Sequence, residues 1–242
     1  MAYSGIDRKY AQIHMHFDGA EGSNKFVNSV RGLKKDQFSY TGTPTISSTT
    51  GVFGQCMKLD GASGLNMTDA NRGTAGTQGL NVGTNNFTID CRVKADAAGE
   101  GNGSLLIEKA VNASIASPWV LTMLSATYKV VYHLTKTTAW DLQLSGTAGT
   151  LTQGVWSHIK LLRNGSNVIA YKDRVACGTT NVGTNSLLYN TSNILIGHGN
   201  FSNTQFNGFM DELRFLNGTA DYSFPDKPYS FDGDVYNIQV GI

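Results

Sequence analysis

Residues 87 to 93 read Phe-Thr-Ile-Asp-Cys-Arg-Val, apolar and polar in strict alternation over seven positions. Side chains on an extended strand point alternately to opposite faces, so this segment has one apolar and one polar side. Such a strand is stable only when its apolar face meets another layer. The same reading recurs along the chain. Gln12 to Phe17 alternate and run into Asp18-Gly19, and Cys56 to Leu59 run into Asp60-Gly61. Leu105–Glu108, Trp119–Leu124, Lys129–Leu134 and Trp140–Leu144 are further strand candidates between Gly-, Ser- and Asn-rich breaks. Gly154 to Leu161 and Val168 to Lys172 flank an Asn164-Gly165 hairpin signal. Ile194–Gly197 and Gly208–Phe215 complete the series. Many short strands with regular turn signals predict an all-β, two-sheet antiparallel sandwich. Helical periodicity is confined to one short turn near Thr219 to Tyr222.

Charge narrows the partners. Only 15% of residues are charged and the formal net charge is +1. The basic spots, Arg8–Lys9 and Arg31 to Lys35, are too short to track a phosphate backbone, so nucleic acid is not an expected partner. No apolar run is long enough to span a bilayer, and no membrane insertion is expected. Residues 1–10 carry no apolar signal core, so no signal peptide is expected. Cys56, Cys91 and Cys177 lack metal-ligand spacing and read as buried free thiols of a chain folded in a reducing cytoplasm.

The division expected is an N-terminal arm over 1–11, one domain over 12–228 and a C-terminal extension over 229–242. The word Asn-Val-Gly-Thr-Asn occurs at 81–85 and again at 181–185. It marks two similar loops rather than a repeated domain.

Taken in order, the strands resemble the laminin-G-like, concanavalin A-like jelly-roll family, in the form found in phage tail and virion proteins. The matching pieces are His16-Phe17-Asp18-Gly19, Phe53 to Gly61, Asn86 to Val93, Gly154 to Ile159, Leu195-Ile196-Gly197 and Phe206 to Phe215. Asn217 to Tyr222, leading to Phe224-Pro225, is similar to the phage versions. Cys91 stands where the family usually has an aromatic or small apolar residue. The resemblance covers about residues 12 to 230 and implies a jelly roll.

The family spans sugar binding, protein binding and structural roles. The expectation is therefore a non-catalytic virion or tail-associated structural or receptor-binding module, with a carbohydrate-binding lectin as the alternative. A virion location after synthesis in the host cytoplasm, a homo-oligomer, and other virion or tail proteins or a host surface glycan as partners follow from the same resemblance. It also favours Trp156 and His158 as core-facing, but Ile159 and Leu161, of the opposite parity, then need another cover, so the choice between the two sets stays open unless a bulge intervenes.

The resemblance implies a calcium held, as in some relatives, between the first and last strands, for which the candidates here are Asp18 and Asp211, with Glu212. Calcium needs six to eight oxygens, and an ordinary Asp-Gly turn competes as the reason for Asp18. His14 and His16 share one strand face, a geometry suited to a metal, with no third ligand evident nearby. A polysaccharide-cleaving enzyme needs two acids facing one another across a substrate. Asp211 and Glu212 are adjacent and so point to opposite faces of a strand, and no strand offers a same-face pair. Among the aromatics, Trp140, Tyr132 and Tyr128 are the candidates for stacking on a sugar ring.

Overall fold

In a computed structural model, the described residues are 10–30, 38–48, 51–67, 80–96, 104–109, 117–124, 127–136, 142–144, 146, 149–199 and 205–228. Among the described residues, fifteen strands follow in chain order: β1 (Ala11–Met15), β2 (Phe38–Thr41), β3 (Thr45–Ser47), β4 (Cys56–Asp60) and β5 (Gly64–Met67). Next come β6 (Phe87–Ala95), β7 (Ser104–Lys109), β8 (Trp119–Leu124), β9 (Lys129–Leu134) and β10 (Leu142–Leu144). The series ends with β11 (Ser157–Asn164), β12 (Asn167–Lys172), β13 (Val175–Asn181), β14 (Ile194–Ile196) and β15 (Asn207–Asn217).

These strands form two antiparallel sheets, one ordered β13-β12-β11-β6-β15-β4-β3 with β1 also on β15, the other β10-β9-β8-β7-β14-β5-β2. This is the expected jelly-roll sandwich. Among the described residues there is no α-helix, and Thr219 to Tyr222 are extended strap rather than a helical turn. No helix among them is long and apolar enough to cross a membrane.

The alternation in β6 dictates the packing. Phe87, Ile89, Cys91 and Val93 are fully buried in the space between the sheets. Pairing carries that parity to the neighbours. Ile159 lies opposite Cys91 and Leu161 opposite Ile89, so both face the core, while His158 and Lys160 pair with Arg92 and Asp90 on the outer face. The register thus decides the open choice of parity: Ile159 and Leu161 take the core, and the family-like set of Trp156 and His158 does not. Trp156 precedes the strand and is half-buried. From the other sheet, Trp119 meets Phe215 edge-to-face at 5.4 Å across the core.

Part of the outer face of the first sheet, around Thr88, Asp90, Lys160 and Arg214, is polar yet buried. A strap over residues 218–226 lies on it. Lys160 Nζ donates to the carbonyls of Asp221 and Ser223, and its ammonium sits 4.2 Å from the Phe224 ring centroid. A strand face that sequence patterning assigns to water is here a second interior.

β15 has its two ends on different partners. Its first half pairs with β4, its second half with β1, and its opposite edge runs along β6. Where β4 gives way to β1, the β15–β6 register slips between Asp211 and Arg214. Glu212 takes φ 51°, a left-handed conformation that few non-glycine residues adopt.

Candidate functional site

Two polar assemblies stand on the outer face of the first sheet. The first is built by the β15 bulge. In the β1 register, His14 lies opposite Arg214, so His14 and, two residues on, His16 share the outer face. The bulge aims Glu212 at them: Glu212 Oε1 lies 2.5 Å from His16 Nδ1. Ligating atoms of His14, His16 and Glu212 all fall within 4.8 Å of one another. The two imidazoles meet edge-to-face at 4.2 Å. His14 and Glu212 are buried, and His16 reaches solvent.

Asp211 fixes this bulge. Its Oδ2 accepts the Val52 and Phe53 N–H groups at 2.9 and 3.2 Å, and its Oδ1 accepts the Glu212 N–H at 2.8 Å. Burial, with the Glu212 charge beside it, pushes the Asp211 carboxyl up to about 7. Burial pulls the His16 imidazole down. The hydrogen bond to Glu212 and the charges of Glu212, Asp18 and Asp211 outweigh it, and the net shift is upward. Asp211 and Glu212 therefore act on the same imidazole. The expectation that adjacent acids face apart fails because the extra residue of a bulge breaks strand alternation.

Asp18 is exposed. Its Oδ1 accepts the Gln55 N–H at 3.3 Å, while Gln55 Oε1 takes the Gly19 N–H at 2.6 Å. Burial of part of its carboxyl raises it from the ordinary value, against the backbone hydrogen bond from Gln55. The calcium implied by the resemblance does not fit this donor set. Both Asp211 oxygens are engaged by backbone N–H groups, a Glu212 oxygen faces an imidazole, and two nitrogens stand where calcium wants oxygen.

The second assembly centres on Asp90, which is fully buried on β6. Arg214 grips it with both prongs, Nε to Oδ1 at 3.2 Å and Nη2 to Oδ2 at 2.7 Å, and Lys160 Nζ stands 3.2 Å away. Burial alone would raise Asp90. The Arg214 and Lys160 charges hold it well below the ordinary carboxylate range. Arg214 also reaches Asp221 of the strap at 2.6 Å, so this network ties the strap down.

Beside it a polar cleft of about 220 Å³ opens between the strap and the β12–β13 turn, lined by Arg92, His158, Asp173, Arg174, Phe224 and Asp226. The turn is unusual. Asp173 and Arg174 adopt φ 48° and 72° in succession, a two-residue hairpin geometry that normally selects Asn-Gly. Two hydrogen bonds with His158 hold it: His158 N donates to Asp173 Oδ1 at 2.7 Å, and Asp173 N donates to the His158 carbonyl at 2.8 Å. Arg174 is thereby presented at the mouth, where it bonds Asp226 at 2.5 Å and the Phe224 carbonyl at 2.9 Å. Backbone strain kept on non-glycine residues points to a functional constraint.

The aromatic candidates fare differently. Tyr132 is fully buried in the core and donates its hydroxyl to the Tyr171 carbonyl at 3.1 Å, which corrects its assignment to a ligand surface. The unbroken Val130-Val131-Tyr132 run conceals which parity faces inward. Tyr128 is half-buried against the core with φ 54°. Trp140 lies outside the described residues. Sequence reasoning missed the cleft altogether, because Arg92, Arg174 and Phe224 come from three separate segments with no shared motif. The odd Asp173-Arg174 turn was the one available signal.

Among solved structures, the chain is similar to domain 4 of AbnA, a GH43 extracellular arabinanase from Geobacillus stearothermophilus, solved with arabinotriose. Identity is 16% over 88% of this chain and 96% of that one, with a TM-score of 0.62. It is similar also to the binding domain of Paraclostridial Mosquitocidal Protein 1 (12% identity, 89% and 50% covered, TM-score 0.64). The binding domain of botulinum neurotoxin DC, in complex with rat synaptotagmin II, matches at 13% identity, with the same coverage and a TM-score of 0.64. The chain spans about half the length of those two toxin binding domains. At these identities the likeness is one of fold. No curated protein matches the sequence significantly. The family model for the concanavalin A-like lectin/glucanases superfamily matches residues 68–221, well over half the chain, and the two-sheet sandwich agrees with it: the chain belongs to that superfamily.

Proposed function

We propose that this chain is a non-catalytic, lectin-like recognition module that binds a glycan in the cleft beside the strap. The observation that carries the reading is the strained Asp173-Arg174 turn, which presents a carboxylate and a guanidinium beside Arg92, Asp226 and the Phe224 ring around a cavity of about 220 Å³. Sugar sites combine these parts: charged planar groups that hydrogen-bond adjacent hydroxyls, and an aromatic ring against the apolar face of the sugar. The AbnA domain, of similar fold and solved in complex with arabinotriose, lends support. So do the toxin domains, described as binding domains. Asp211 and Glu212, the nearest thing to an acid pair, support the non-catalytic reading: Asp211 is wholly buried and committed to backbone N–H groups.

As the setting we propose a phage tail or virion, with the module made in the host cytoplasm and working as a homo-oligomer among other tail proteins. The support is the Asn217–Tyr222 segment and the following Phe224-Pro225, which resemble phage versions of the family. Repeated copies would turn weak single-site contacts into avidity.

A glycan array followed by calorimetry tests the binding reading. Wild-type protein should bind a defined set of oligosaccharides, and Arg174→Ala and Phe224→Ala should each weaken binding at least tenfold while the fold persists. Binding that neither variant changes would remove the cleft from the argument. Silence across the array would sink the lectin reading. Light scattering on the same samples reads the oligomeric state.

A further inference from the structure

We propose that His14, His16 and Glu212 form a binding site for one divalent transition-metal ion of the zinc class. The argument is geometric. Two imidazoles leave one strand face at i and i+2, and a carboxylate arrives from β15, 196 positions away in sequence. Their ligating atoms already converge within 4.8 Å. An ion held at about 2.0–2.2 Å from nitrogen and oxygen ligands needs ligand atoms roughly 3.3 Å apart. His16 and Glu212, now 2.5 Å apart, must open slightly, and His14 must close, which small side-chain rotations achieve.

The donor set selects the class of ion. Two imidazole nitrogens and one carboxylate suit zinc, cobalt or nickel, and disfavour calcium and magnesium. The surroundings favour preorganisation. Asp211 takes the Glu212 N–H and holds the bulge that aims the ligand, so its role is to position Glu212. His14 and Glu212 form a buried floor, and the half-buried His16 leaves a solvent-facing side for a water as fourth ligand. Asp18, whose charge acts on His16, adds negative potential at that opening. The ion would pin the first strand to the last. This site is independent of the glycan reading.

The test uses the full chain without an affinity tag, stripped with chelator. Cobalt(II) should give the visible absorption of low-coordinate nitrogen and oxygen ligation, saturating at one ion per chain. Zinc should displace it and raise the melting temperature, and calcium should do neither. His16→Gln should weaken zinc binding at least tenfold. Because His16 is half-buried, this variant keeps its fold, whereas Glu212→Gln alters a buried residue on a left-handed backbone and serves as the second variant. Failure of cobalt and zinc to bind overturns the proposal. Zinc binding untouched by His16→Gln, or tighter binding of calcium than of zinc, overturns it equally.

Discussion

Asp90 shows how one carboxylate can govern a whole face of this sandwich. It is fully buried, and so are Arg214 and Lys160 that neutralise it. Removing one member of such a set strands charges where water cannot reach them, at a cost of about 3–5 kcal/mol. Asp90→Ala should therefore lose stability on that scale in urea unfolding at neutral pH. The pH dependence has a definite sign. Asp90 titrates lower in the folded chain than its ordinary value of 3.8. Its stabilising contribution is thus full above that value and is lost as pH falls through the folded value. Wild type should lose stability on acidification below about pH 4, and Asp90→Asn should lose less over the same range. Equal slopes would show that other groups control acid unfolding. The sequence made Asp90's face legible, through the period-two pattern of Phe87 to Val93, but not its burial. Alternation reports which side a residue is on, not whether a strap from the far end of the chain covers that side. Glu212 was illegible as a partner of His14 and His16 for a related reason: a bulge leaves no trace in hydrophobic pattern.

The paired words at 81–85 and 181–185 gain a meaning as elements. Each forms a turn with a left-handed glycine, Gly83 at φ 53° and Gly183 at φ 59°, and each buries its valine, Val82 or Val182, in the core. Arg163 holds both turns: Nη1 donates to the Gly83 carbonyl at 2.9 Å and Nη2 to the Gly183 carbonyl at 3.2 Å, while Nε takes the Gly165 carbonyl at 2.9 Å. One planar fork thus closes three turns at one end of the sandwich. A lysine has the charge but not the fork. Arg163→Lys should cost about 1–2 kcal/mol, as partly buried turn carbonyls lose their charged donors. A melting-temperature comparison with Arg163→Ala checks it, and a lysine variant as stable as wild type would show that charge alone suffices. The reading of two similar loops was accessible from the repeated word. The shared clamp was not, since Arg163 sits in a hairpin signal of its own. β13 escaped notice too: Val-Ala-Cys-Gly-Thr-Thr-Asn carries no clean alternation, as an edge strand with mostly exposed residues need not.

For the molecule as a whole, the decisive strand is β15, which lies in the interior of its sheet and touches β6, β4 and β1. Its inward residues Met210, Leu213 and Phe215 are fully buried. A chain ending at residue 206 should therefore show no cooperative thermal transition by circular dichroism. A sharp transition in that truncated chain would mean that the remaining strands suffice. The sandwich itself was readable from turn spacing and alternation, whereas the interior place of the last strand is a matter of long-range pairing that no local pattern encodes. That place has a consequence for the order of events at the ribosome. A polypeptide is made from its N-terminus, so β1, β4 and β6 emerge long before the strand that must join them. Until residues 207–217 leave the exit tunnel, those strands carry open hydrogen-bonding edges and an unsealed apolar face, the condition under which nascent chains associate wrongly. Completion of this fold thus waits on its last strand, and its yield in a cell depends on how well the half-built sheet is shielded until that strand arrives.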